Sequence, residues 1–300
     1  MAILLMASMT VMLFFSRKAV KEEALQKASQ TLEGTVQRID NILLSVEQAT
    51  GNIYFTMYPH LDQPDMMATY CRELVEANPY VTGCAIAFKP NYYPGHELFM
   101  AYTHRASVAD GDSIVQSETF ANTPYTEQMW FKRPMESGTA GWMNPLIGLD
   151  NDSDIAPLIT FCLPFFDADG KTVGVMGVDV SLDMLSTIVA EAKPSDHSYC
   201  MLLDGDGSFI VRPENADIYQ QSAVKLSKTI GDAAAREAVQ AMTSGETGYK
   251  PFSLYGEDFY VFYKPFKRNK MNARTMETLQ WSVGIIYPED DIFGDYNNLS

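Results

Sequence analysis

The chain has 300 residues, 46% of them hydrophobic, and a formal net charge of −16 at pH 7. That length suits two modules better than one. The charge excludes a nucleic-acid partner, because phosphate binding needs clustered Lys and Arg to displace counterions.

Residues Ala2 to Phe15 read AILLMASMTVMLFF, an uncharged apolar run. A full span takes about 20 residues, and this run is shorter. No basic segment precedes it and no clear small-residue cleavage site follows, which argues against a signal peptide. Residues 1–16 are therefore expected to be the end of a transmembrane helix, with a buried core helix as the alternative. Arg17, Lys18 and Lys21 follow directly. The positive-inside rule weighs both flanks of a span, and only one is present here, so charge does not orient the run.

Residues 17–58 are expected to form one long helix. Leu25, Ala28, Leu32, Thr35, Ile39, Ile42, Val46, Ala49 and Ile53 recur at spacings of three and four, a single seam on one helix face. No Pro occurs before Pro59, and Gly34 and Gly51 are the weak points. The seam has two uses: packing against the domains that follow, or a parallel homodimer through the long helix. Both readings stand.

A first module is expected over residues 59–192. A helix over Met66–Ala77 ends at Asn78-Pro79. Strands follow at Val81–Phe88 and Leu98–Thr103, then a helix over Tyr125–Glu136. Strand character returns at Trp142–Ile147, Ile155–Phe166 and Thr172–Val180. The turn Asp167-Ala168-Asp169-Gly170 joins the last two, Asp tolerating turn geometry and Gly supplying positive φ. Ser181 caps a helix from Leu182 to Ala192. A second, smaller module over residues 193–290 repeats this grammar. Strands at Tyr199–Leu203 and Ser208–Val211 flank the turn Asp204-Gly205-Asp206-Gly207. A helix over Gly231–Thr243 precedes strands at Gly248–Leu254, Phe259–Phe266 and Gln280–Tyr287, with a turn at Tyr255–Asp258. Residues 291–300 are expected to be an acidic tail. Hairpin-joined strands are antiparallel. The fold class is therefore α+β: a long N-terminal helix with two modules, each an antiparallel sheet with helices on one face.

Enzyme motifs are missing. His60, His96, His104 and His197 have no metal-ligand spacing. The four cysteines, Cys71, Cys84, Cys162 and Cys200, form no C-x-x-C pair. There is no G-x-S-x-G elbow and no P-loop. Asp150-Asn151-Asp152-Ser153-Asp154 lacks the Gly and terminal Glu of a calcium loop and reads as a solvated segment. No catalytic residue, metal or cofactor is expected.

Trp130-Phe131-Lys132-Arg133-Pro134, Gly138, Gly141-Trp142, Asn144-Pro145, Ile159-Thr160, Pro164, Gly170 and the block Gly174-Val175-Met176-Gly177-Val178-Asp179-Val180-Ser181-Leu182-Asp183 together resemble the double Cache (dCache) sensor family. The final block is the most specific part. The resemblance implies a membrane-distal PAS-like domain that binds a small ligand, a membrane-proximal one, and a transmembrane helix at each end. It also implies a place in the bacterial inner membrane, with this region extracytoplasmic. In amino-acid-binding members, Trp130 and Asp179 match ligand-contacting positions. An arginine is replaced by Gln128 and a second aromatic by Phe131. A tyrosine and an aspartate fall at Leu146 and Gly148. Without the arginine, the bidentate fork for a ligand carboxylate is gone. The resemblance thus implies an amine-bearing or neutral polar ligand. The candidate ligand-binding residues are Trp130, Phe131, Asp179, Gln128, Tyr125, Leu146 and Tyr102. Trp142 reads as core, and Asp179 either caps the helix at Leu182 or faces the ligand. The alternatives to a sensor are a non-sensing dimerisation or protein-interaction module, and a hydrolase using a carboxylate pair, for which no motif exists.

Overall fold

The computed structural model describes residues 2–105, 114–117, 124–143, 158–212, 222–254, 256–266 and 277–297. Leu146, Gly148, the stretch Asp150–Asp154 and Tyr255 lie outside these residues. The chain divides into two compact units. One comprises Asp40–Met184 with Arg268–Leu279, the other Met1–Ile39, Leu185–Lys267 and Gln280–Ser300.

Helix α1 runs unbroken from Ala2 to Met57 and contributes to both units. Neither Gly34 nor Gly51 interrupts it. The apolar run at its start is exposed: Ile3, Leu4, Met9, Met12 and Phe14 all face outward. Among the described residues, this is the one helix long and apolar enough to cross a membrane by length and composition. The seam that follows is used inside the chain. Ala28, Leu32, Thr35, Ile39, Ile42 and Val46 are buried. The outer face carries Gln30, Gln37, Asn41 and Gln48.

In the first unit, α2 (Met67–Ala77), β1 (Val81–Phe88), β2 (Phe99–Arg105), β3 (Ile114–Ser117), α3 (Met129–Ser137), β4 (Gly141–Met143), β5 (Leu158–Phe166) and β6 (Thr172–Ser181) follow in order. The strands form one antiparallel sheet in the order β3-β2-β1-β6-β5-β4. Helices lie on both faces, not one. α2 packs on β1 and β2, and α3 on β5 and β6. That explains why β1, β5 and β6 read as nearly continuous apolar runs: each is buried along almost its whole length. On the α2 side, Trp142 donates its indole N–H to Glu47 on α1 at 2.7 Å. This tryptophan is core, tying the sheet to the helix.

Helix α4 (Leu182–Glu191) leads into the second unit. There β7 (Tyr199–Leu203), β8 (Phe209–Val211), α5 (Ala223–Ile230), α6 (Ala233–Thr243), β9 (Gly248–Leu254), β10 (Glu257–Pro265), β11 (Ser282–Pro288) and α7 (Glu289–Asn297) follow. Its antiparallel sheet has the order β8-β7-β11-β10-β9. A core of Met201, Leu203, Phe209, Ala223, Ala235, Ala238, Met242 and Val261 joins that sheet to α5 and α6. The two D-x-D-G turns share one geometry. Asp167 Oδ1 accepts from the N–H groups of Asp169 and Lys171, and Asp204 Oδ1 from those of Asp206 and Ser208, each at 2.9 Å. Gly170 and Gly207 follow with φ of 79° and 78°.

Two helices add to the elements expected from the sequence. The second unit holds an additional helix, α5, capped by Ser222. Glu289–Asn297, reaching into the stretch expected as an acidic tail, form helix α7. Glu289, Asp290 and Asp291 occupy the first turn of α7, where the helix dipole favours negative charge. Arg17 on α1 pairs with Glu289 at 3.6 Å and lies over the Phe293 ring at 4.7 Å. Asp291 accepts from the backbone N–H of His197 at 3.0 Å and from Ser195 Oγ.

Candidate functional site

The site is built on the α3-facing side of the first sheet. β6 lies between β1 and β5, so alternate residues of these strands share a face. The register defines three rows across that face. The first holds His104, Gly83, Asp179 and Thr160. The second holds Tyr102, Ala85, Gly177 and Cys162, and the third Met100, Ala87, Val175 and Pro164. The centre of this face is made of small residues, which leaves room for the aromatic side chains of α3.

Trp130 and Phe131 fill that room. They are 4% and 3% exposed and pack with Ala85, Ala87, Tyr102, Tyr125, Cys162 and Val175. The Trp130 ring lies directly on Gly177: a Cβ there would stand 3.0 and 3.1 Å from its Cε3 and Cζ3. Glycine at 177 thus serves the close approach of the ring, not a special backbone conformation. The indole N–H donates to Gln128 Oε1 at 2.6 Å. Phe131 meets Tyr125 edge-on at 5.0 Å and Trp130 at 6.0 Å.

Two residues along β6, Asp179 projects from the same face. It is 6% exposed. Thr160 donates to its Oδ1 at 2.7 Å and the Tyr102 hydroxyl to its Oδ2 at 3.4 Å. A Cβ at Gly83 would stand 3.0 Å from both Asp179 Oδ2 and the Tyr102 hydroxyl, so glycine makes room for this pair. No ion pair among the described residues includes Asp179. Burial therefore pushes its carboxyl up to about 6, against the two hydroxyl groups, which favour the charged form. Burial, and then the neighbouring Asp179, raise the Tyr102 hydroxyl far above its ordinary range, so it stays a donor.

The structure thus brings Trp130, Phe131, Asp179, Tyr102 and Tyr125 to one face, with Gln128 at its edge; Leu146 lies outside the described residues. Tyr125 does not offer its hydroxyl to a ligand. That group donates to the Phe88 carbonyl at 2.7 Å and accepts from the Phe99 N–H at 3.0 Å, holding the ends of β1 and β2 together. Gln128 uses its carbonyl oxygen to hold Trp130. Asp179 faces the α3 side of the sheet and bonds side chains, not the N-terminus of α4.

Two further members of the site do not stand out in the sequence. Thr160 is visible there only as part of a motif, and His104 only as a scattered histidine. His104 stacks on Tyr102, ring centres 5.3 Å apart. Its Nδ1 is buried and has no hydrogen-bond partner among the described residues. The alternation Tyr102, His104 in β2 is the signal that points to it. No group of three or more His, Cys, Asp or Glu side chains able to hold a metal occurs among the described residues. Arg105 and Arg133 are held elsewhere, the first by the carbonyls of Val81 and Val75, the second by Glu277 at 2.9 Å.

Similar folds occur among sensory domains. The extracellular domain of a protein named as histidine kinase soHK1S-Z6 superposes with a TM-score of 0.68 at 18% identity, covering 92% of this chain and 98% of that one. The periplasmic sensory domain of the Campylobacter jejuni chemoreceptor Tlp1 gives 0.67 at 14% identity, covering 91% and 97%. The ligand-binding domain of the Pseudomonas fluorescens chemoreceptor CtaA, in complex with L-leucine, gives 0.61 at 18% identity, covering 92% and 99%. The Cache-domain family model dCache_1 matches residues 15–296. With that match spanning nearly its whole length, the chain belongs to the dCache_1 family of Cache sensor domains.

Proposed function

We propose that this chain is the extracytoplasmic sensing region of a bacterial inner-membrane receptor, and that it binds a small amine-bearing ligand between Trp130 and Asp179. It performs no chemistry on that ligand. The carrying observation is Asp179, a buried carboxylate held by two neutral hydroxyl groups and by no cation among the described residues. A buried charge without a counter-charge is costly, and an ammonium group would supply one. The buried Nδ1 of His104 in the same row offers a second polar contact, since buried polar atoms are normally partnered. The Trp130 ring adds an aromatic face for a cation or an apolar body.

The L-leucine bound by CtaA also carries an amino group. Here the matching arginine position is Gln128, whose carbonyl oxygen is engaged with Trp130. The ligand of this chain is therefore an amine without the need for a paired carboxylate. α1, with its exposed apolar start, connects the sensing region to the membrane. α7, held to α1 through Arg17, leads towards a second span.

The test is a thermal-shift screen of the full chain in detergent against primary and quaternary amines. At least one amine is expected to stabilise the protein, and Asp179→Asn to abolish that gain. An amine series without effect, or a gain that survives Asp179→Asn, would contradict the proposal.

A further inference from the structure

Cys71 and Cys84 come together on the α2 side of the first sheet, the face opposite Trp130 and Asp179. Met67, Tyr70, Cys71, Leu74 and Val75 are the buried residues of α2, one stripe at helical spacing. On β1, Ala85 and Ala87 pack with Trp130 on the α3 face. Cys84 and Ile86 alternate with them and so point towards α2. A link of residues 78–80 folds α2 back onto β1. Both thiols are fully buried. Cys71 donates to the Ala101 carbonyl on β2 at 3.6 Å. Ala101 lies opposite Ile86, the neighbour of Cys84 on the same face. Hydrogen bonding with Cys71, then burial, holds the Cys84 thiol well above its ordinary range. Neither of the other cysteines shares this face. Cys162 packs with Trp130 on the α3 side, and Cys200 lies on β7 of the second sheet.

We infer that Cys71 and Cys84 are a disulfide pair, joined when the chain folds in an oxidising medium. The medium rests on the extracytoplasmic reading above, since disulfides persist outside the cytoplasm and are rare within it. The pairing rests on geometry. The oxidant is a disulfide-bearing protein or small molecule. One thiolate of the pair attacks a sulfur of that disulfide, which gives a mixed disulfide and releases one oxidant thiol. The second cysteine then attacks the first one's sulfur, closes the Cys71–Cys84 bond and releases the second oxidant thiol. The pair gives up two protons and two electrons, and the oxidant's disulfide ends as two thiols. In the folded, reduced chain the first attack is slow, because neither sulfur is exposed and the Cys84 thiol resists ionisation. The bond therefore forms before α2 is fully docked. It closes a loop of 14 residues, Cys71 to Cys84, and gives up only the weak S–H bond to Ala101.

The test starts from the full chain, unfolded and reduced, then refolded in detergent with a mixture of oxidised and reduced glutathione. The product is alkylated in denaturant and cut with trypsin. Cleavage after Arg72 separates the two cysteines, so a linked peptide pair identifies the bond by mass. A Cys71–Cys84 link is expected in most chains, with Cys162 and Cys200 alkylated. Reduction should lower the melting midpoint by about 5 °C. Chain that is reduced while folded should oxidise at least about tenfold more slowly than refolding chain. Cys84→Ser should remove the response of the melting midpoint to reductant. Alkylation of both Cys71 and Cys84 after refolding would overturn the inference. So would links mainly to Cys162 or Cys200, or a melting midpoint of the unaltered chain indifferent to reductant. The same mapping on chain acid-quenched in cells tests the medium separately. A link formed on refolding but absent in cells would uphold the pairing and count against the extracytoplasmic placement.

Discussion

Replacing Asp179 by Asn should make the ligand-free protein more stable at pH 7, although it alters a buried, hydrogen-bonded residue. The reasoning follows from linkage. Asp179 titrates near 6 in the fold, against an ordinary 3.8. Its folded value is raised, so its favourable contribution is present at low pH and is lost as pH rises through about 6. The rise from 3.8 to about 6 amounts to about 3 kcal/mol by pH 7. Asn removes the charge, keeps an acceptor for Thr160, and offers its amide N–H to the Tyr102 oxygen. After allowing for imperfect geometry, the expected gain at pH 7 is about 1–3 kcal/mol. Below about pH 4 the two proteins should have nearly equal stability. Urea unfolding of both proteins from pH 4 to 8, read by tryptophan fluorescence, measures this. A loss of stability at pH 7 on substitution would refute the reasoning and make Asp179 a structural anchor.

Other expectations follow from the same geometry. Amine affinity should rise with pH and level off above about 6, because the carboxylate must be charged; titration calorimetry across that range reads it, and a flat profile would contradict it. Gly177→Ala should displace Trp130, costing about 1–3 kcal/mol and weakening the amine; melting curves and ligand titration report the two effects separately. Trp142→Phe, which removes the donor to Glu47, should cost about 1–3 kcal/mol without altering ligand affinity. Asp232→Ala in the second unit removes the acceptor for the N–H groups of Ala234 and Ala235 at the start of α6. About 1 kcal/mol of stability should go with it, again with amine binding unchanged.

The long helix was legible because an apolar seam without proline leaves little alternative, and both D-x-D-G turns because Asp and Gly meet their geometry with local bonds alone. The block from Gly174 to Asp183 placed Gly177 and Asp179 on one strand face by period alone. The rest of the site depends on strand register. Thr160 and His104 reach the row of Asp179 from β5 and β2, and nothing local in either strand specifies that row. Tyr125 and Gln128 lie in the right place, but their polar atoms serve Phe88, Phe99 and Trp130, a division that only coordinates display. The acidic end of the chain reads as a tail because its helical stability comes from the dipole at the N-terminus of α7 and from contacts made by Arg17. The seam of α1 could not be assigned from spacing, since packing within the chain and pairing of two chains demand the same pattern.

The most direct test is the NMR signal of the Trp130 indole N–H in protein labelled at tryptophan nitrogen, followed during titration with a stabilising amine. Trp130 should shift saturably above pH 6 and lose that response in Asp179→Asn, while Trp142 and Trp281 stay nearly still. A Trp130 signal indifferent to every amine, or one that responds equally without the carboxylate, would contradict the account.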